Sequence, residues 1–130
     1  MATQQKQLLL ILAREFTSNL STPSLIANAE GTLVFYNEAA EAVVGRRFSE
    51  TGEMPLEEWL VPFEPRETDS TPLPAERRPT HIALVERRPA HERYLITSAD
   101  GVERVIEVSA FPLFAHTDEF VGIVAIFWRV

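Results

Sequence analysis

The chain has 130 residues, 12 Lys+Arg against 19 Asp+Glu for a formal charge of −7, and no cysteine. That length builds one domain with a real core and is too short for two. The negative balance disfavours general binding to nucleic acid or to anionic membranes. The missing cysteine excludes disulfides, thiolate nucleophiles, cysteine metal sites and cysteinyl photochemistry.

Residues 3–20 carry apolar side chains at Leu9, Leu12, Ala13, Phe16 and Leu20, one face of a helix. Leu8, Leu10 and Ile11 lie off that stripe, so the apolar surface exceeds what one packing contact needs. The run Leu8–Ala13 is too short to span a bilayer, and no cleavage site follows it, so a soluble cytoplasmic protein is expected. A hairpin comes next: strands over 25–29 and 32–36 around a Glu30-Gly31 turn, where glycine accepts the positive φ of a tight turn. Asn37 suits an N-cap for a helix over 38–44, and Gly45 suits its end.

Residues 46–78 hold Pro55, Pro62, Pro65, Pro72 and Pro74, which forbid long regular elements. Residues 55–60 suit a single helical turn, and Trp59, Leu60 and Phe63 need a core to bury them. Pro79 opens a helix predicted over 80–88, with Arg87 and Arg88 at its negative end and Pro89 as its stop. Three strands follow, over 92–98, 102–111 and 120–128, the first two joined by an Asp100-Gly101 turn. The last is almost wholly apolar, as a central strand covered on both faces should be. The order predicts an α+β fold: a five-stranded antiparallel sheet with its short helices in one long crossover, and a pocket between those helices and the inner sheet face.

The stretch from Pro23 through Gly45, with its turn glycine and Asn37-Glu38-Ala39 helix start, resembles the opening of PAS domains. Pro72-Leu73-Pro74 before Pro79, then Asp100-Gly101, residues 109–113 and Gly122-Ile123-Val124 resemble the later parts of that family. The resemblance spans about residues 23–128. It implies strand order 2-1-5-4-3, a PAS domain over 23–130, and an amphipathic flanking helix over 1–22. It departs at the end, Ile126-Phe127-Trp128-Arg129-Val130, where many members carry an acidic residue and a linker. The expectation there is a freestanding sensor or one whose effector lies outside this sequence.

The resemblance implies sensing and association rather than turnover. One reading is a sensory module that dimerises and relays a small-molecule or partner signal to a histidine kinase, cyclase or transcription regulator. The other is a ligand-free protein–protein interaction module with a filled core. Tyr36, Trp59, Phe63, His81, Leu84 and Phe111 are the candidate pocket residues. Leu8, Ile11, Leu12 and Glu15 are the candidate dimer residues, since a wide apolar patch implies a partner. His81 is a candidate haem ligand by the family's habit, and non-covalent flavin is the other cofactor that the resemblance admits; no cofactor is the default expectation. His81, His91 and His116 show no zinc spacing. The acid pairs Glu57-Glu58 and Glu64/Glu67/Asp69 flank prolines, which suits solvated surface better than acid–base catalysis. The repeated Glu-Arg-Arg-Pro at 76–79 and 86–89 reads as self-neutralised helix ends, with an anion or acidic-partner site as the alternative.

Overall fold

The structure is a computed structural model. It describes residues 2–116 and 118–130, with side chains from Gln7 onward. Helix α1 (Ala2–Ser18) leads into strands β1 (Ser24–Asn28) and β2 (Thr32–Tyr36). The crossover holds α2 (Glu38–Val44), α3 (Phe48–Thr51), the two-residue strand β3 (Met54–Pro55), α4 (Leu56–Leu60), two 3₁₀ turns, and α5 (Pro79–His81). Strands β4 (Ala90–Thr97), β5 (Glu103–Phe114) and β6 (Phe120–Arg129) close the chain. The sheet is antiparallel, in the order β3-β2-β1-β6-β5-β4. The five long strands take the expected order with β6 at the centre.

Two differences from the sequence expectation have physical causes. A sixth strand, β3, joins the edge through Thr32↔Pro55 and Leu33↔Met54. Pro55 lacks an N–H, which an edge strand tolerates. The helix expected over 80–88 is a single α-turn, 79–81, that widens into a π-helical turn over Ile82–Glu86 and ends at Arg87 with φ +57°. The wider turn buries Ala83 completely and leaves Val85 exposed.

The sheet separates two apolar faces. Leu25, Ala27, Tyr94, Ile96, Ile106, Val108, Ala110, Ile123, Ala125 and Phe127 point to the crossover helices and form the main core. On β2, strict alternation would place Leu33 and Tyr36 on opposite faces. The register shift at Ile26/Ala27, which pairs Ala27 with Leu33, leaves Val34 as an extra residue, so both Leu33 and Tyr36 are fully buried.

Helix α1 lies on the opposite, outer face, over Val124 and Ile126. Its seat is rotated from the expected stripe. Thr17 is buried, with its hydroxyl satisfied by the Ala13 carbonyl, while Leu12 and Phe16 are more than half exposed. The rotation is set by Asn37. Its Nδ2 donates to the carbonyls of Thr17 and Thr22, and its Oδ1 accepts from the N–H groups of Ser24 and Ala40. One side chain thus caps α2, starts β1 and holds the end of α1. Among the described residues no helix is long and apolar enough to cross a membrane.

Asn37→Ala removes an N-cap and strands buried partners together, so it should cost about 2–4 kcal/mol, above the usual loss for a cap alone, in urea denaturation. Gly122 pairs with Asn28, and a methyl group there would overlap the Ala27 carbonyl oxygen. Gly122→Ala should cost about 1–3 kcal/mol by thermal denaturation, because the central strand pair must separate to admit it.

Candidate functional site

The inner face and the crossover enclose one apolar cavity, lined by Leu25, Val44, Trp59, Leu60, Phe63, Thr80, Tyr94, Ile96, Ile106, Val108 and Phe127. It measures about 30 Å³. Pro55 delivers α4 so that Trp59, Leu60 and then Phe63 fall inside, all buried. Aromatic rings fill the space beside the cavity. Trp59 stands 5.0 Å from Phe63 and 5.2 Å from Tyr36, and Tyr36 stands 5.4 Å from Phe48. The Tyr36 hydroxyl donates to the Arg46 carbonyl and lies 3.1 Å from Thr51 Oγ1.

Of the candidate pocket residues, Trp59 and Phe63 line the cavity, and Tyr36 backs Trp59. His81 is partly buried and does not line it; its neighbour Thr80 does. Leu84 packs against the hairpin turn at Gly31. Phe111 is on the outer face, 38% exposed, because its neighbour Ala110 takes the inner position on β5. Leu8, Ile11, Leu12 and Glu15 are all exposed on α1.

Haem and flavin do not fit this interior. Cofactor sites run to about 300–1,000 Å³, the cavity is an order of magnitude smaller, and His81 is off its wall. No group of three metal-ligating side chains occurs among the described residues.

Arg46 is a residue beside the cavity that sequence reasoning did not single out. Its guanidinium stands 4.7 Å from the Phe63 ring and 5.8 Å from the Trp59 ring, and Nη2 donates to the Trp59 carbonyl at 3.1 Å. No spacing rule signals this, since the contact joins residues on either side of β3. Several other arginines form ion pairs. Arg77 pairs with Glu67 and Glu92, Arg78 with Glu57, and Arg88 with Glu86. Self-neutralisation within each repeat is therefore met only by Arg88 with Glu86; Arg77 and Arg78 reach glutamates elsewhere, and Arg87 lies 4.6 Å from the Phe120 ring centroid. The same pairs occupy the loop carboxylates Glu57 and Glu67, and Glu64 pairs with Arg66.

The outer end of the sheet carries a polar cluster. His91 Nε2 lies 3.2 Å and Arg93 3.6 Å from Glu107 Oε1, and the His91 ring lies 5.9 Å from Trp128. The hydrogen bond from His91 holds the Glu107 carboxyl below the usual glutamate range.

The family model for the PAS fold matches residues 17–130. The chain belongs to the PAS family. Similar solved structures include the PAS domain of BvgS from Bordetella pertussis, at 17% identity and TM-score 0.64, covering 94% of this chain and 85% of that one. The PAS domain of nitrogen regulation protein NR(II) from Vibrio parahaemolyticus is similar at 14% identity and TM-score 0.60, over 92% and 98%. The LOV domain of the blue-light activated histidine kinase EL346 from Erythrobacter litoralis is similar at 17% and 0.68, over 86% and 98%. At these identities the likeness is one of fold. No curated protein sequence matches the chain. In this PAS chain the interior between sheet and crossover is narrow.

Tyr94 supplies a reporter of that interior. Burial pushes its phenol well above the ordinary value near 10. The phenol stays protonated in the folded chain while the unfolded chain ionises. Stability is therefore fully present below about pH 10 and falls as pH rises above it. Tyr94→Phe should flatten that alkaline loss, measured as the urea midpoint between pH 8 and pH 11.

Proposed function

We propose that this PAS chain is a sensory signalling module that dimerises through α1 and the outer sheet face and relays a small-molecule or partner signal to an effector. The observation that carries the reading is the surface of α1. Leu8 is 55% exposed, Ile11 61% and Phe16 59%, on a helix that already covers one apolar sheet face. Beside it runs an apolar groove of about 480 Å³, walled by Leu9, Leu12, Phe16, Phe111, Leu113 and Ile126. Phe111 and Phe114 add exposed rings along the same side. A contiguous apolar patch of this kind calls for a partner, and a two-fold pair is the commonest way to close one. A histidine kinase is the effector class this reading favours, supported by the similarity to the LOV domain of the EL346 histidine kinase.

The narrow interior favours a second reading, an interaction module that binds no small ligand at all. Both readings are non-catalytic, and both place the output at α1. They differ in whether anything enters the cavity.

Leu8→Glu combined with Ile11→Glu should convert a dimer into a folded monomer, read by light scattering behind size exclusion, with circular dichroism confirming the fold. A variant that remains dimeric, or a parent chain that is monomeric at every concentration, removes α1 as the seam.

A further inference from the structure

The apolar cavity has two hydroxyl residues in its wall. Tyr94 reaches it from β4 and Thr80 from α5, two elements packed on each other. The residues are 3% and 4% exposed, and neither hydroxyl has a hydrogen-bond partner among the described residues. Four side-chain polar atoms of the described residues are sealed off without a partner: Arg46 Nε, Trp59 Nε1, Arg78 Nε and Glu119 Oε1. The Tyr94 and Thr80 oxygens are not among them, so each keeps surface that a small molecule can touch. For Tyr94 that surface is internal, since burial is the main cause that raises its phenol. The phenol also feels the charge of Arg78, the residue that leads into α5, which directs the Tyr94 oxygen toward the helix start where Thr80 stands. Buried hydroxyls left without a partner are costly.

The surroundings select against an ion. Arg78 and Glu92 are the charges felt at Tyr94, and they act in opposite directions. Arg78 is already paired with Glu57 at 3.1 Å. The rest of the wall is apolar, with Leu25, Ile96, Ile106, Val108 and Phe127 among its residues. A charged ligand would lose its hydration there and gain no counter-charge. Size sets a second limit. About 10–15 Å³ is needed for one water-sized group, so 30 Å³ takes roughly two or three heavy atoms. One oxygen satisfies the two hydroxyls. A second water would meet apolar walls only, which an alkyl group suits better.

We propose that Tyr94 and Thr80 form the polar end of a binding site for a short neutral alcohol, whose hydroxyl joins their two oxygens and whose one or two carbons fill the apolar end of the cavity. The inference rests on the sensory reading and names the class of its ligand. A hydroxyl both donates and accepts, as Tyr94 and Thr80 do, so one alcohol oxygen accepts from one of them and donates to the other. Longer alcohols and ring compounds exceed the space.

The test is a ¹H–¹³C methyl NMR titration of the full chain with ethanol, with sodium acetate and 1-pentanol in parallel at constant ionic strength. The expected result is a saturable shift of the Ile106 and Val108 methyl signals with ethanol and none with acetate or 1-pentanol. The dissociation constant for three heavy atoms is on the order of 1 mM at best. Tyr94→Phe and Thr80→Val, which remove one hydroxyl each at nearly constant shape, should weaken ethanol by about fivefold. Thr80→Ser restores the hydroxyl and should restore the binding. Should Tyr94→Phe not fold, the Thr80→Val and Thr80→Ser pair carries the test. Undiminished binding in the variants that lack a hydroxyl overturns the proposal. So does the absence of a saturable ethanol shift, with magnetisation transfer to these methyls from water alone. Equal binding of acetate or 1-pentanol overturns the neutral, short-chain assignment. Failure of the sensory reading appears separately, as a parent chain that is monomeric at every concentration while ethanol still binds.

Discussion

The carboxamide of Asn37 is the joint on which the architecture turns. A carboxamide has two donor hydrogens and an oxygen with two lone pairs, and here both ends are used twice. Ser24 and Ala40 belong to the first strand and the first crossover helix; Thr17 and Thr22 belong to the end of α1 and the link after it. Aspartate would keep the acceptor half and lose the donor half, and serine could reach only part of the set. The residue does the ordinary work of an N-cap and, at the same time, fixes how α1 is rotated on the outer face. That rotation decides which leucines meet the sheet and which meet solvent. The apolar surface of α1 is therefore a consequence of a buried hydrogen-bond network on the next element.

The interior follows from a second constraint, the size of the rings in the crossover. Phe63, Trp59, Tyr36, Phe48 and Phe35 succeed one another at centroid distances of 5.0 to 5.6 Å in edge-on or tilted pairs. Such pairs add about 0.5–1.5 kcal/mol each beyond the area they bury, so the space they fill is held shut. Opening an interior large enough for a flat cofactor would require breaking several of them together. The core of this chain is thus occupied by its own side chains.

Much of this was legible in the sequence, and the exceptions are instructive. The five long strands announced themselves through alternation, turn glycines and one continuous apolar run. Asn37 and Gly45 marked the ends of α2 by ordinary capping chemistry. The strand Met54–Pro55 is too short to carry a pattern and exists only because β2 offers it an edge. The π-helical turn at 82–86 was invisible because nine residues of helical spacing fit either winding. Phe111 was assigned to the pocket for its size, although its neighbour Ala110 already claimed the inner side of β5. On α1 the stripe residues Leu9, Ala13 and Leu20 are half-buried as read, while Leu12 and Phe16 are exposed and Thr17 takes the buried position, which its hydroxyl hides behind a polar residue type. The contacts of Arg46 had no signature at all, since they are made with rings brought to it by the fold.

The same rings set a limit on how strongly interior and surface can influence one another. Arg46 lies at one end of the aromatic series, over Trp59 and Phe63, and Arg14 of α1 lies at the other, 4.7 Å from Phe35 and 5.7 Å from Phe48. The series passes around the β2 edge and joins the inner face of the sheet to the helix on its outer face. A cation over a ring at an exposed site is worth about 0.5–1 kcal/mol. Displacing Arg14 through this route therefore shifts the seating of one helix by a factor of roughly two to five. Two helices meeting across a symmetric seam double the free energy, and the factor becomes roughly five to thirty. One continuous series of ring and cation contacts thus joins the exposed helix α1 to the closed interior, and the energy of its weakest contact bounds any influence of one on the other.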